Sequence, residues 1–418
     1  MRFGIFYEHQ CPRPWDNGKE ARIIHEALEQ VQLADRLGFD MVWEVQHHFV
    51  DEYSHSSSPE IFLGACAATT KNIGLGHGIV PVPPGFSHPA RVAEQIATLD
   101  ILSNGRVQFG TGESTSRAEL DGFEIEGYEK REMWEEAVPQ IARMMAQEPY
   151  PGYQGKYFSM PPRNVVPKPI QKPHPPVWVA CSRRETIHLA GTRGIGALSF
   201  AFLNPDEARL WVGDYYKALE ECKDPIAVAA NANLAVVSGF MVAKDEATAK
   251  ERGLEGFDFF VYSLNYHFIT GTYRPGVTSI WDDFKKSSAD EAAKKAQEEM
   301  LAAKDRFGRT GVEPGDAESL TGCIGSVEQV RSYLRSMEDA GVDEIIFTMQ
   351  AGNNKHEHIC ESMELFAKEV MPEFKERNPK IEAQKAKRLA PTLERLNKLA
   401  AVDPHPDLGD YAIVAEPY

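Results

Sequence analysis

The chain has 418 residues, with 45 lysines and arginines against 62 aspartates and glutamates, and its formal net charge is −17. Hydrophobic residues make up 42% of it and charged residues 26%. This balance excludes a disordered tail protein, a collagen and a small disulfide scaffold. The negative charge argues against a nucleic acid or an anionic membrane surface as partner, because both would repel the average surface.

The first residues and the cysteines favour a cytoplasmic protein. The short apolar run after Arg2 meets Glu8, so it lacks the longer apolar region of a signal peptide and is predicted to be a buried strand. No apolar stretch reaches the roughly 18 to 20 residues that a spanning helix needs. We expect free thiols in a reducing compartment, because the cysteines lie far apart without zinc spacing. They are Cys11, Cys66, Cys181, Cys222, Cys323 and Cys360.

Short apolar runs alternate with helical patterns along the chain. The predicted strands are 2–7, 40–46, 73–80, 106–110, 177–180, 196–200, 234–243 and 344–349. The predicted helices are 20–37, 59–70, one that starts at Pro89, 131–146, 186–191 and 205–222. Gly38 is placed to end the first helix, and Ser326 to Gln329 fit a capping box. Eight strands that alternate with helices favour a closed (β/α)8 barrel over an open doubly wound sheet.

The chain is longer than the about 250 residues of an ideal barrel, so insertions and a tail must hold the surplus. We assign 1–379 to one barrel domain with insertions near 149–176 and 253–315, and 380–418 to a helical extension and tail. The second insertion holds an aromatic stretch, 257–268, and a charged helix, 289–307. It is predicted either to cover the site as a lid or to be a solvated helix. Its aromatic residues line either the pocket or a dimer contact.

The ends of the strands supply the catalytic candidates, because catalytic side chains of such barrels lie at the carboxyl ends of strands. The second strand ends at His47 and His48. A histidine suits acid–base chemistry because its ordinary pKa is about 6.5. Adjacent strand residues point to opposite faces, so at most one of the two should face the cavity squarely. The alternative is a hydrogen-bonded core histidine. Strands 1 and 4 end at Glu8–His9 and Glu113–Ser114.

Glycines in two neighbouring strands mark a second candidate site. Gly76 and Gly78 flank His77, and Gly112 follows in the next strand. Glycine inside a strand weakens it unless something approaches the backbone closely, so these positions predict a flat ligand against the main chain. The alternative is a bulge or a tight bend of the barrel.

The third candidate is the start of the helix after the fifth strand, where Ser182, Arg183 and Arg184 stand. Free N–H groups, a positive dipole end and charged donors at this point favour a phosphate group. The alternative is an ordinary helix cap with surface arginines. No GxGxxG follows the first strand and no GxxxxGK[ST] occurs, so neither a Rossmann nor a P-loop site is indicated.

Four stretches in order resemble the bacterial luciferase-like flavin monooxygenase family: 43–49, 73–81 with 87–89, 99–112 and 176–190. The resemblance runs from residue 1 to about 349 and implies a barrel that binds FMN as a dimer. In this family a separate NAD(P)H:flavin reductase supplies reduced flavin (FMNH2), which reacts with O2 to a flavin C4a-(hydro)peroxide. That species oxygenates a small organic substrate, here predicted to be largely apolar.

The resemblance also implies roles for the candidate residues. His47 matches the active-site base and His48 its neighbour. The Gly76–His77 bond matches a non-prolyl cis peptide under the flavin ring. Residues that match the segment around the flavin ribityl chain and phosphate are Val179, Ala180, Cys181 and Ser182, with Thr186 nearby and Arg131 as the arginine on the phosphate.

Two positions depart from luciferase. Gly112 and Glu113 stand where luciferase has a reactive cysteine and an arginine, which argues against light emission with a long-chain aldehyde. Both belong to the predicted cofactor site, and Arg183 or Arg184 is left to supply the missing positive charge.

Three other functions are compatible with parts of the sequence. An F420-dependent reductase or dehydrogenase would use the same barrel, and a flavin-binding protein without catalysis would use the same cofactor site. A metal-dependent barrel hydrolase is suggested by His47, His48, His55, His356 and His358. It is disfavoured because strand 1 carries no His-x-His motif, and we predict no metal.

Overall fold

The computed structural model describes residues 1–289 and 321–415, and eight parallel strands in it close into a barrel. In chain order the strands are β1 Arg2–Tyr7, β2 Met41–Val45, β3 Gly74–Pro81, β4 Val107–Gly112, β5 Tyr153–Gln154, β6 Ser159–Met160, β7 Val177–Cys181, β8 Gly196–Ser199, β9 Leu234–Ala243, β10 Cys323–Ser326 and β11 Glu344–Thr348. The barrel runs β1-β2-β3-β4-β7-β8-β9-β11, and β11 pairs with β1 to close it. The predicted (β/α)8 fold is confirmed.

Helices follow the barrel strands and cover the outside. They are α1 Lys19–Leu37, α2 Pro59–Thr69, α3 Pro89–Leu102, α4 Arg117–Gly122, α5 Lys130–Ala146, α6 Arg184–Thr192, α7 Pro205–Glu221, α8 Glu246–Asn265, α9 Ile280–Ala289, α10 Val327–Asp339, α11 His356–Glu369 and α12 Met371–Ala400. A π-helix, Tyr266–Thr270, follows α8 directly. Gly38 ends α1 at φ +87°, as its position predicts. The predicted capping box also forms, since the Ser326 N–H donates to Gln329 Oε1 over 2.9 Å.

Two small features were missed by the sequence analysis. The antiparallel hairpin of β5 and β6 has two residues per strand, too few for any periodic pattern. The outer half of β9 leaves the barrel and pairs with β10, from Phe240 with Cys323 to Ala243 with Ser326. The predicted charged helix 289–307 lies, apart from its first residue, outside the described residues.

The barrel interior is filled by aromatic side chains. Trp43 and Trp178 meet edge to face at 5.4 Å between ring centroids, and Phe6 and Leu198 join the same buried cluster. A second, larger cluster packs the outer strand faces against the helices. Trp43 needs a neighbour without a side chain, because a Cβ atom on Gly76 would lie 2.2 Å from its ring.

The carboxyl-terminal segment packs on the amino-terminal side of the barrel. Lys385 on α12 forms an ion pair with Asp343 at 2.7 Å, just before β11. After α12 the chain follows the first insertion, where the Glu148 N–H donates to the Pro404 carbonyl. None of the helices in the described ranges is long and apolar enough to cross a membrane. All six cysteines are free thiols.

We predict that Gly76→Ala lowers the free energy of unfolding by about 1–3 kcal/mol, because the added methyl overpacks the barrel against Trp43. Urea unfolding followed by tryptophan fluorescence measures the change. The control is Gly213→Ala in α7, where nothing lies within 4 Å of the added atom, and it should gain up to about 1 kcal/mol in helix propensity. Equal effects of the two changes would contradict the packing argument.

Candidate active site

His47 lies at the carboxyl end of the barrel between two buried carboxylates. Its Nδ1 is 2.9 Å from Glu119 Oε1, and its Nε2 is 3.9 Å from Glu8 Oε1. Its side chain keeps 13% exposure, while both carboxylates are almost fully buried. The histidine is therefore the member of this group that a bound molecule can reach.

Glu119 is fixed by the loop and short helix that follow β4. Ser114 has φ +59°, a strained conformation for a residue with a side chain, and it directs its hydroxyl to donate to Glu119 Oε2 over 2.6 Å. The His48 backbone N–H also donates to Glu119 Oε1, over 2.9 Å. One carboxylate thus joins the ends of β2 and β4.

These neighbours set the charge of the group. Burial lowers the pKa of His47, but the Glu119 and Glu8 carboxylates outweigh it and raise that pKa to about 9. Burial raises the pKa of Glu8 to about 7, against the opposing effect of His47. Burial also works against ionisation of Glu119, but His47, the Ser114 hydroxyl and the His48 N–H lower its pKa overall. At neutral pH His47 carries a proton and Glu119 is ionised.

A second acid–base group lies beside the first. The Tyr53 hydroxyl donates to Glu8 Oε1 over 2.8 Å. His9, at φ +51°, lies with its Nε2 2.8 Å from Glu44 Oε1. Ser56 donates its hydroxyl to the same Glu44 oxygen. The ends of β1 and β2 therefore hold a connected set of buried titratable groups around His47.

His48 has a different environment from His47, in line with the predicted alternation along the strand. Its Nε2 lies 2.9 Å from the Gln46 amide nitrogen, and its ring packs edge-on against Phe123 at 4.9 Å. Burial lowers the pKa of His48 against the opposing charge of Glu119, and the charge of His47 lowers it further. Phe49 and Phe86 complete an aromatic cluster with it at the barrel mouth.

The described part of the second insertion, up to residue 289, covers this end of the barrel. Phe268, in the π-helix after α8, packs its ring 5.5 Å from that of His47. The loop after β2 anchors the segment that follows, because the Ile280 and Trp281 N–H groups at the start of α9 donate to the Glu52 carboxylate. π-helical turns often occur at functional sites. At Phe268 the predicted aromatic stretch faces the candidate site.

Three cations cluster at the ends of β4 and β7. Arg131 forms an ion pair with Glu113 at 2.8 Å. Burial lowers the pKa of the Lys130 ammonium against the opposing charge of Glu113, and the charges of Arg131 and Arg183 lower it further, so the three cations lie near one another. Ser182 and Arg183 are exposed at the start of α6. This part of the predicted phosphate site is brought together by the fold.

Other members of the predicted phosphate site are occupied with protein contacts. Cys181 is buried, donates to the Thr186 carbonyl over 3.3 Å, and has its pKa raised to about 12 by burial. The Thr186 hydroxyl donates to the Arg183 carbonyl and caps α6. Arg184 forms an ion pair with Asp214. Val179 is buried and Ala180 half-buried in β7. These two residues and Cys181 therefore have only backbone groups with which to contact a cofactor.

The glycine-lined strands need two corrections. The space of a Cβ atom is filled by Trp43 at Gly76, by Val45 at Gly78 and by Ile79 at Gly112. These glycines make room for neighbouring side chains, not for a bare surface, and contact of their backbone with a cofactor stays a prediction.

The Gly76–His77 peptide is trans, contrary to the expectation from the family. The cis bonds in the described part of the chain all precede proline. Gly76 and His77 both keep regular pairing with Trp43 and Glu44 of β2, and the register changes only after them. His77 is buried, neither ring nitrogen has a hydrogen-bond partner among the described residues, and burial lowers its pKa to about 4.

The sequence analysis missed Glu119, Tyr53 and Lys130. Glu8 and Ser114 were marked only as strand ends. Glu119 lies in a six-residue helix, too short for a periodic pattern, so only its later contact with His47 reveals it.

The histidines that suggested a hydrolase lie apart. His55 pairs with Glu20, and His356 lies against Glu29 of α1. Within 1–289 and 321–415, no three His, Cys, Asp or Glu side chains are grouped so that they could hold a metal ion.

The model of the luciferase-like monooxygenase family matches residues 1–344. The chain therefore belongs to the luciferase-like monooxygenase family, and the resemblance drawn from its sequence is confirmed. The prediction that the protein is a monooxygenase is confirmed by this family match and by its monooxygenase relatives.

Individual relatives differ in cofactor. The oxygenase component of flavin-dependent trigonelline monooxygenase from Acinetobacter baylyi is 24% identical over 379 residues, 90% of this chain and 96% of that protein. F420-dependent hydroxymycolic acid dehydrogenase from Mycobacterium tuberculosis is 28% identical over 256 residues, 59% of this chain and 69% of that protein. The match to an uncharacterized protein, y4vJ, from Sinorhizobium fredii spans about half of its length, 48%.

A solved structure shows the same fold. The oxygenating constituent of 3,6-diketocamphane monooxygenase from Pseudomonas putida, in complex with FMN, superposes with a TM-score of 0.65 at 20% identity. The superposition covers 89% of this chain and 98% of that chain.

We predict that Glu119→Gln lowers the pKa of His47 by about 1–3 units, because it removes the nearest opposite charge. The alkaline limb of any activity that needs protonated His47 then moves down from pH about 9. The pH profile of kcat measures it. Glu8→Gln, which removes a carboxylate 3.9 Å away instead of 2.9 Å, should move the limb less; equal shifts would contradict the assignment.

Proposed function

We propose that the protein is an FMN-dependent monooxygenase that uses reduced FMN and O2 to oxygenate a small, largely apolar organic molecule. The observation that carries this proposal is the placement of protonated His47 at the barrel rim, with the cation cluster of Lys130, Arg131 and Arg183 at the neighbouring strand ends. The family membership of the chain supports it.

The residues present fit a flavin mononucleotide. Lys130, Arg131 and Arg183 offer charge-assisted donors for a phosphate dianion, and Ser182 adds an exposed hydroxyl at the start of α6. The ring of His77 does not add to this fit, because His77 stands between Gly76 and Gly78, which face Trp43 and Val45 inside the barrel, and so points to the opposite face of β3. When bound, reduced FMN would supply the electrons that activate O2.

The side chains around the site then have separate tasks. Glu119 holds Nδ1 of His47, so Nε2 is the nitrogen left to pass a proton to a reacting atom. Because His47 is protonated at neutral pH, we assign it as a proton donor and not as the base that the family resemblance implied. Glu8 Oε1, 3.9 Å from Nε2 of His47, stabilises the protonated ring. Phe268 and Tyr53 exclude water from the ring of His47.

The lining of the mouth supports an apolar substrate. Phe260 and Phe268 pack on Tyr53, and Leu264 lies against the same cluster.

The other proposed partners are a separate NAD(P)H:flavin reductase and a second copy of the chain. The outer face of α2 and α3 exposes large apolar side chains, including Ile61 at 71% and Leu102 at 60%. A homodimer through this face would bury them.

The second candidate function is an F420-dependent reductase or dehydrogenase. The buried group of Glu8, His47 and Glu119 favours it, because such a proton-transfer site would serve hydride transfer without O2 equally well. The match to the F420-dependent dehydrogenase supports it further.

Oxygen consumption separates the two functions. We expect the protein, mixed with a flavin reductase, NADPH and FMN, to bind reduced FMN and to increase O2 uptake when apolar test substrates are added. Binding of reduced F420 with substrate turnover and no O2 uptake would establish the alternative. Failure to bind FMN in either redox state would overturn the proposal.

We predict that His47→Gln lowers kcat by about 10²–10⁴-fold, the usual contribution of a proton-transfer group, and leaves flavin affinity nearly unchanged. Steady-state kinetics and flavin fluorescence titration give the two values. His55→Gln is the matched control, since the His55 side chain pairs with the exposed carboxylate of Glu20 and not with the carboxylates around His47. A parallel loss of turnover and affinity would make His47 a structural residue.

A further inference from the structure

We propose that Ser114 and Lys130 are positioning residues that couple the phosphate end of the cofactor site to the proton on His47. This inference rests on the proposed function, because it requires a phosphate-bearing flavin at the cation cluster. It goes beyond that function by giving the cofactor phosphate control over the acid–base group.

A continuous chain of hydrogen bonds joins the two places. Lys130 Nζ donates to the carbonyl of Ser114. The Ser114 hydroxyl donates to Glu119 Oε2 over 2.6 Å, and Glu119 Oε1 lies 2.9 Å from His47 Nδ1. Two side chains and one backbone carbonyl therefore separate the cation cluster from the ring of His47.

The cation end of this chain is available to a phosphate. Arg131 is already paired with Glu113 at 2.8 Å. Lys130 is half-buried and donates to the neutral carbonyl of Ser114, while the charge of Glu113 acts on it without a hydrogen bond between the two among the described contacts. A phosphate dianion is a stronger acceptor than a carbonyl, so it would draw the ammonium away from Ser114.

Ser114, in the middle of this chain of hydrogen bonds, can respond to a bound phosphate. Ser114 holds φ +59°, which costs on the order of 1–3 kcal/mol and persists only because its surroundings impose it. Its carbonyl is held by Lys130 and its hydroxyl by Glu119. When Lys130 turns to a phosphate, one of these two restraints is lost and the hydroxyl loses its fixed direction.

The sign of the effect on His47 follows from charge. A phosphate neutralises the charge of Lys130 and weakens the hydrogen bond from the Ser114 hydroxyl to Glu119. The Glu119 carboxylate then attracts the proton on His47 more strongly. The proton affinity of His47 should therefore rise when a flavin with a phosphate binds. The titratable or charged groups around His47 are Glu119, Glu8, Tyr53, His48 and His267.

The experiment compares FMN with riboflavin, which lacks the phosphate. Histidine NMR, with His47 assigned through His47→Gln, gives the pKa of His47 in the protein alone, with riboflavin and with FMN. In the unmodified protein we expect FMN to raise the proton affinity of His47 about 5-fold more than riboflavin does, the low end of coupling between linked sites.

Ser114→Ala is the decisive variant because it removes the hydroxyl and keeps every charge. It should abolish most of the difference between FMN and riboflavin. Ser116→Ala is its matched control, since the Ser116 hydroxyl is buried with no hydrogen-bond partner in the described part of the chain, and it should keep the difference. Lys130→Met should abolish the difference and weaken FMN binding while leaving riboflavin binding nearly unchanged.

An FMN effect that is as large in Ser114→Ala as in the unmodified protein would show that the phosphate acts through space, and would overturn the proposal. Equal pKa values of His47 with FMN and riboflavin, both bound, would also overturn it while leaving the proposed function intact. If fluorescence titration shows that neither flavin binds, the proposed function fails and this inference fails with it.

Discussion

The rim of the barrel depends on one buried carboxylate, that of Glu119. An ionised carboxylate removed from water is costly unless charged partners and hydrogen bonds compensate it. Here His47 supplies the charge, and the Ser114 hydroxyl and the His48 N–H supply further donors. These donors come from the loops after β2 and β4, which flank β3 in the barrel. The carboxylate is therefore compensated only when both loops are folded in place.

Part of the backbone strain lies in the same region. His9, Phe49 and Ser114 all have positive φ and all lie just beyond the carboxyl ends of barrel strands. Each conformation costs on the order of 1–3 kcal/mol and needs surrounding structure to impose it. His9 and Ser114 turn their side chains toward Glu44 and Glu119, so strained residues hold the acid–base groups in place. The result is an acidic region at β1 and β2 and a cationic region at β4 and β7, joined through Ser114.

The glycines of β3 and β4 are required at the positions that the sequence analysis marked, but for a different reason from the one it gave. They lie in the strands next to the site, as the sequence analysis expected, and glycine is required there. The requirement comes from Trp43, Val45 and Ile79, whose atoms fill the places of the missing side chains. A sequence pattern registers only that something lies close to the backbone, because it contains no information on whether that neighbour is a ligand or the protein itself.

The sequence by itself determined the barrel, its strand order along the chain, and the candidates His47, Arg131, Ser182 and Arg183. Regular alternation of apolar runs and helices allows few other folds, and parallel closure sends every strand end to one rim. Only the tertiary structure decided that His47 is protonated and that Arg184, Cys181 and Thr186 are engaged elsewhere. The pKa of His47 depends on Glu8 and Glu119, which stand 39 and 72 residues from it in the chain. Such distances are closed by folding alone, and electrostatic effects of this size require contacts of a few ångströms in a buried environment.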